Sequence, residues 1–103
     1  MENAMATPDK KRPLQPHPSP EPTHPGFIMA EVIEHLGLGK AEMARRLGVT
    51  RATLYAAIQE RSAVTADMAL RFERVTGTSA GLLVRLQGDY DLWHARQALP
   101  ESA

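Results

Sequence analysis

The sequence predicts an all-α fold, a compact bundle of five short helices behind a proline-rich tail. Three observations carry that expectation. From Gly26 to Leu99, apolar residues recur at three- and four-residue spacing, the period of a helix with one buried face. No segment alternates apolar and polar residues in the manner of a half-buried strand. Seven of the eight prolines lie in residues 1–25 and none between Gly26 and Leu99, so the periodic region lacks the residue that most strongly breaks helices.

The elements follow in order. The stretch PLQPHPSPEPTHP offers no periodic apolar face and cannot bury enough surface to offset the entropy of ordering. Residues 1–24 are therefore read as a disordered tail, a spacer rather than a recognition peptide. In the first helix Met29, Val32, Ile33 and Leu36 fall at i, i+3, i+4 and i+7, and Gly37 supplies the stop. A second helix runs from about Lys40 to Leu47 with Met43, Ala44 and Leu47 inward. The third starts after Thr50, a good N-cap, and runs to about Gln59. Thr65 caps the fourth, where Met68, Ala69, Phe72 and Val75 make a stripe ending at Gly77. Ser79 caps the fifth, about 80–97, with Leu82, Leu83, Leu86, Tyr90 and Trp93 at helical spacing. The domain spans 25–98, and 99–103 form a C-terminal tail.

Composition narrows the function. There is no cysteine in the 103 residues, so neither disulfides nor thiolate metal sites hold the chain together. No apolar run approaches the ~18 residues that span a bilayer, and the N-terminus lacks the apolar core of a signal peptide. The cytoplasm is the expected compartment, with no membrane contact. Net charge is zero, yet Lys40–Arg61 holds five cations (Lys40, Arg45, Arg46, Arg51, Arg61) against two anions (Glu42, Glu60), a local +3. The four histidines are scattered, with no pair at metal-ligand spacing on one helix. No glycine-rich phosphate loop follows a strand, and no nucleophile has an evident base. No metal, cofactor or catalytic residue is expected, and the chain is not read as an enzyme.

The second and third helices are joined by Gly48-Val49-Thr50 alone, so they must cross steeply and nearly touch. Ala44 supplies the small side chain at the crossing, and Gly48 tolerates the positive φ that the turn needs. At about 100° per residue, Arg51, Ala52, Tyr55, Ala56 and Gln59 share one half of the third helix. Leu54, Ala57 and Ile58 take the other, with Thr53 at the border. The outer half is smooth enough to enter a major groove, where the first residues of such a helix meet base edges. Arg51 suits guanine, Ala52 or Ala56 a thymine methyl, and Tyr55 or Gln59 a base or a phosphate. Lys40 would lie over the backbone. With Thr50 and Thr53 at the helix start, these residues are the candidate DNA contacts. Arg45 and Arg46 are read as solvated or phosphate-proximal. A purely structural helical hairpin would share the same spacing.

From Lys40, alanine fifth, glycine ninth, an apolar residue tenth and Leu54 fifteenth resemble the helix-turn-helix of the lambda-repressor-like (Xre) DNA-binding family. Across residues 24–97 the likeness narrows. The start His24-Pro25-Gly26 and the close Tyr90-Asp91-Leu92-Trp93 resemble HigA-type antitoxins, one branch of that family. The resemblance implies an antitoxin that binds a small RNA-cleaving toxin of the RelE-like fold, a HigB-type partner, and represses its own operon as a dimer. Four departures stand out. Gly39-Lys40 replaces the usual Ser-Gln, and lysine cannot make an amide's paired contacts to adenine. Gln59-Glu60 replaces Asn-Gly, so Glu60 must adopt an uncommon backbone conformation or reshape the turn. Leu82 and Leu83 replace an aromatic pair, and the long proline-rich tail is untypical.

The fifth helix is the expected dimer interface through Leu82, Leu86, Tyr90 and Trp93, which otherwise close the monomer's own core. A twofold dimer would present two reading helices to half-sites about 34 Å apart, so the operator should be an inverted repeat of double-stranded DNA. Glu31 and Glu34 on the first helix are candidate contacts for a basic toxin; a solvated helix face would look the same. A stand-alone Xre-type repressor and an interaction adaptor without DNA binding are the alternatives.

Overall fold

The computed structural model describes residues 20–99, and these carry five helices: α1 (Pro25–Leu36), α2 (Lys40–Leu47), α3 (Arg51–Ile58), α4 (Ala66–Thr76) and α5 (Ala80–Ala98). No strand occurs among the described residues. The expected tail over 1–19 and the last four residues lie outside them.

Helix boundaries sit where local chemistry sets them. Thr50, Thr65 and Ser79 adopt extended backbone, and each side chain accepts the N–H of the residue three positions on, satisfying one orphan donor of the first turn. Glu73 adds a second anchor to α5 by accepting the Ala80 N–H at 3.0 Å. Gly37, Gly48 and Gly77 close α1, α2 and α4 at φ 72°, 76° and 82°, a region where a Cβ would strain the chain.

The core gathers the inward faces of all five helices, with Phe72, Met29, Met43, Leu54 and Leu83 fully buried. α4 lies along α5, α2 against α3 and α4, and α1 bridges α3 and α5. Two sequence expectations change here. The first is Leu36, which is 46 % exposed; Leu82, expected at a dimer interface, is 37 % exposed. Leu36 sits in the last turn of α1, past its packed neighbours. In α5 the buried line runs instead through Ala80, Leu83 and Gln87, which puts Leu82 on the flank.

The second change concerns the domain boundary, expected at residue 24. His24 belongs to the domain: it is 3 % exposed and its Nδ1 accepts the Gly26 N–H at 2.9 Å as the N-cap of α1. Upstream of it, Glu21 reaches His94 on α5. Gln87 was also unforeseen as an interior residue. Its Oε1 accepts the Val64 N–H at 2.7 Å and its Nε2 donates to Asp91 at 2.9 Å, the paired state that a buried amide requires.

Candidate nucleic-acid interface

The turn between α2 and α3 is built from the small residues the sequence singled out. Ala44 is 2 % exposed, and its carbonyl accepts the Val49 N–H at 3.0 Å. The Gly48 N–H bonds the Arg45 carbonyl at 3.1 Å, and Val49 packs against the core. From α4, Arg71 Nη1 donates to the Leu47 carbonyl at 2.9 Å while its Nε holds Asp67. A Cβ at Gly48 would stand 2.9 Å from that guanidinium. Glycine thus serves the turn twice, in its φ and in the space it leaves.

The burial of α3 divides as its sequence predicts. Leu54, Ala57 and Ile58 are buried; Arg51, Ala52 and Gln59 are exposed, and Tyr55 and Ala56 half-buried. Among the described residues the Arg51 side chain makes no hydrogen bond or ion pair. Thr50 Oγ1 accepts the Thr53 N–H at 3.1 Å, and the two hydroxyls share one hydrogen bond at 2.9 Å. One hydroxyl proton of the pair is therefore spent between them, and the other is left at the start of α3.

The end of α3 carries details that the sequence did not reveal. Gln59 Oε1 accepts both Nε and Nη2 of Arg61, at 3.0 and 2.8 Å. Paired amide contacts to adenine from Gln59 would require Arg61 to let go, and Arg61 joins the exposed cationic set here. Of the two routes open to Glu60, the chain takes the uncommon conformation, at φ 62°. Asparagine or glycine would sit there with less strain.

On α2, Glu42 binds both Arg45 and Arg46. Hydrogen bonds from Arg45 first, then Arg46, pull its carboxyl down from 4.5 to about 2. These arginines are thereby committed to a surface triad of net charge +1, which leaves Lys40, Arg51 and Arg61 as the accessible cations around α3. Lys40 is exposed at the start of α2, where Gly39 provides no side-chain cap, so the first-turn N–H groups have no side-chain acceptor at the cap. Glu31 and Glu34 are exposed on α1, and Glu34 lines a shallow depression with Ala30, Ile33, Leu38 and Lys40.

On α5, Leu86, Tyr90 and Trp93 are half-buried. Helical geometry sets Leu82, Leu86 and Trp93 within about 40° of one another, on the flank beside the buried line. Tyr90 points elsewhere: its ring meets His24 edge-on at 4.8 Å between centroids and His94 at 4.4 Å. Burial, with the carboxylates of Glu21, Glu60 and Asp91, raises its phenol above the ordinary value.

This arrangement is shared with known proteins. The helix-turn-helix family model matches residues 29–83. Virulence-associated protein I of Dichelobacter nodosus is 35 % identical over 75 residues, 72 % of this chain and 69 % of that protein. Among solved structures, the Pseudomonas aeruginosa antitoxin HigA with its higBA promoter superposes with TM-score 0.70 at 36 % identity, covering 75 % of this chain and 85 % of that one. An addiction-module antidote protein of the HigA family from Coxiella burnetii gives TM-score 0.68 at 31 % identity, covering 74 % and 84 %. With five helices among the described residues, a tight α2–α3 turn and an outward α3 face, the chain belongs to the Xre-type helix-turn-helix family, one of DNA-binding antitoxins and transcriptional regulators rather than enzymes.

Proposed function

We propose that the protein is an antitoxin and autorepressor: it binds an inverted-repeat operator in its own promoter as a homodimer and neutralises a small RNA-cleaving toxin. The observation that carries the DNA-binding part is the outer face of α3. Among the described residues the Arg51 side chain has no partner, and it stands beside the small Ala52, so the helix backbone can approach base edges while a guanidinium reaches guanine. Ala56 and Tyr55 extend the face, and Gln59 closes it through its amide nitrogen, which makes no hydrogen bond among the described residues. The Thr50–Thr53 hydroxyl pair keeps one proton for phosphate, and Thr50 orients the helix start. Lys40 and the open first turn of α2 suit a second phosphate. Dimerisation through the Leu82, Leu86 and Trp93 flank, with Tyr90 packed inside the protomer against His24 and His94 rather than in the interface, would set two α3 helices about 34 Å apart. Glu31 and Glu34 offer carboxylates to a basic toxin. The cytoplasm is the compartment that this reading implies.

The deciding experiment titrates promoter DNA and a scrambled duplex with wild type and Arg51→Ala. Wild type should prefer the promoter, and the variant should lose about 1–3 kcal/mol on it while its melting temperature holds. Equal affinities for all four combinations would remove the DNA role. The toxin is tested separately by expressing the neighbouring open reading frame alone and with this chain. Growth arrest relieved by co-expression supports neutralisation; a harmless neighbour leaves a stand-alone repressor.

A further inference from the structure

Four residues outside the reading face connect α5 to the end of α3. Gly26, in the first turn of α1, lies so close to α3 that a Cβ there would stand 1.9 Å from the Ala57 carbonyl oxygen and 3.0 Å from its carbon. Main chain meets main chain at this crossing, with no side chain to absorb a displacement. Gly26 is held in turn by His24, whose Nδ1 accepts its N–H at 2.9 Å, and the same Cβ would stand 3.1 Å from that nitrogen. The buried His24 ring rests edge-on against Tyr90 of α5 at 4.8 Å. Tyr90 meets His94 at a tilt, with 4.4 Å between ring centroids, and His94 binds Glu21 just upstream of His24. A continuous chain of contacts thus runs from α5 through Tyr90, His24 and Gly26 to Ala57.

Because His24 Nδ1 accepts a hydrogen bond, its ring proton sits on Nε2, and the ring is fixed by the cap on one side and by Tyr90 on the other. Ala57 belongs to the buried face of α3, and Tyr55 and Ala56 immediately precede it. A tilt of α1 at Gly26 must therefore move the reading face, since packed interiors pass displacement on rather than absorb it.

We propose that His24 and Tyr90 are positioning residues: they set the angle at which α3 is presented, so operator affinity depends on side chains that never touch DNA. The inference rests on the DNA-binding reading for its consequence, but its geometry can be tested without DNA. Amide spectra of wild type, Tyr90→Phe, Tyr90→Leu and His24→Asn are compared in the free, folded proteins. Tyr90→Leu and His24→Asn should shift the Ala56–Gln59 resonances, and Tyr90→Phe, which keeps the ring, should not. Unmoved α3 resonances in folded Tyr90→Leu overturn the proposal, whatever DNA does. Should His24→Asn fail to fold, the Tyr90 pair decides alone.

Operator titrations then separate positioning from simple loss of stability. Below the melting range of every variant, Tyr90→Leu should weaken binding about tenfold and Tyr90→Phe less than about twofold. With Arg51→Ala present, the Tyr90→Leu loss should shrink below about threefold, because the contact that misplacement spoils is already gone. Equal losses in both backgrounds overturn the positioning role. A wild type that binds no DNA, with α3 shifts still present, overturns the proposed function and leaves the linkage standing.

Discussion

At its N-terminal end α3 is held by a side chain of its own cap, Thr50, and the residues beyond it face outward. At its C-terminal end the same helix is gripped from several directions: the backbone of Gly26 abuts Ala57, the Glu60 N–H bonds the Ala57 carbonyl at 3.1 Å, and Arg61 clamps Gln59. The contrast separates two tasks along one short helix and its caps. The open end is free to meet a ligand and to choose rotamers against it. The gripped end fixes the direction in which the open end points.

That comparison can be broken at chosen places. The largest effect is expected at the grip. Gly26→Ala drives a methyl into a carbonyl that cannot move alone, and should cost about 3 kcal/mol, read from urea denaturation. A loss under about 0.5 kcal/mol would mean that α1 and α3 slide apart freely. At the open end, Thr50→Ala removes the N–H acceptor and releases Thr53, and should cost about 1 kcal/mol; Thr50→Ser should recover most of it in the same assay. The smallest effect has the opposite sign. Glu60→Gly relieves the positive φ at some cost in chain entropy and should stabilise the fold by about 0.5 kcal/mol. A loss of stability there would mean that the Glu60 side chain contributes more than its backbone strains.

Much of this architecture was legible in the sequence because it depends on neighbours along the chain. Thr50, Thr65 and Ser79 cap because a short hydroxyl precedes a helical period, and Gly37, Gly48 and Gly77 stop helices because only they take positive φ without strain. The outward face of α3 followed from the same periodicity. What escaped depends on partners distant in sequence. His24 stands out in the sequence only as part of the His24-Pro25-Gly26 start, and nothing local announces its burial, since the ring that meets it belongs to Tyr90, 66 positions on by residue number. Gln87 falls between apolar residues with nothing local to announce that the Val64 N–H needs it. Leu36 obeys the helical period but lies beyond the elements that would cover it, and no local rule states where neighbouring helices end. The Gln59–Arg61 bond reaches only two residues, but it runs across a turn whose shape was left open by Glu60.

The buried carboxamide of Gln87 has one more consequence. It ties one rung of α5 to the loop after α3, so shifting α5 lengthwise by a turn would strand the Val64 N–H away from water and from any acceptor. A ratchet motion of the last helix is thereby closed off. Whatever binds along that helix can transmit its arrival only by pivoting it about this point, the kind of movement that would be felt at Tyr90, three residues further along.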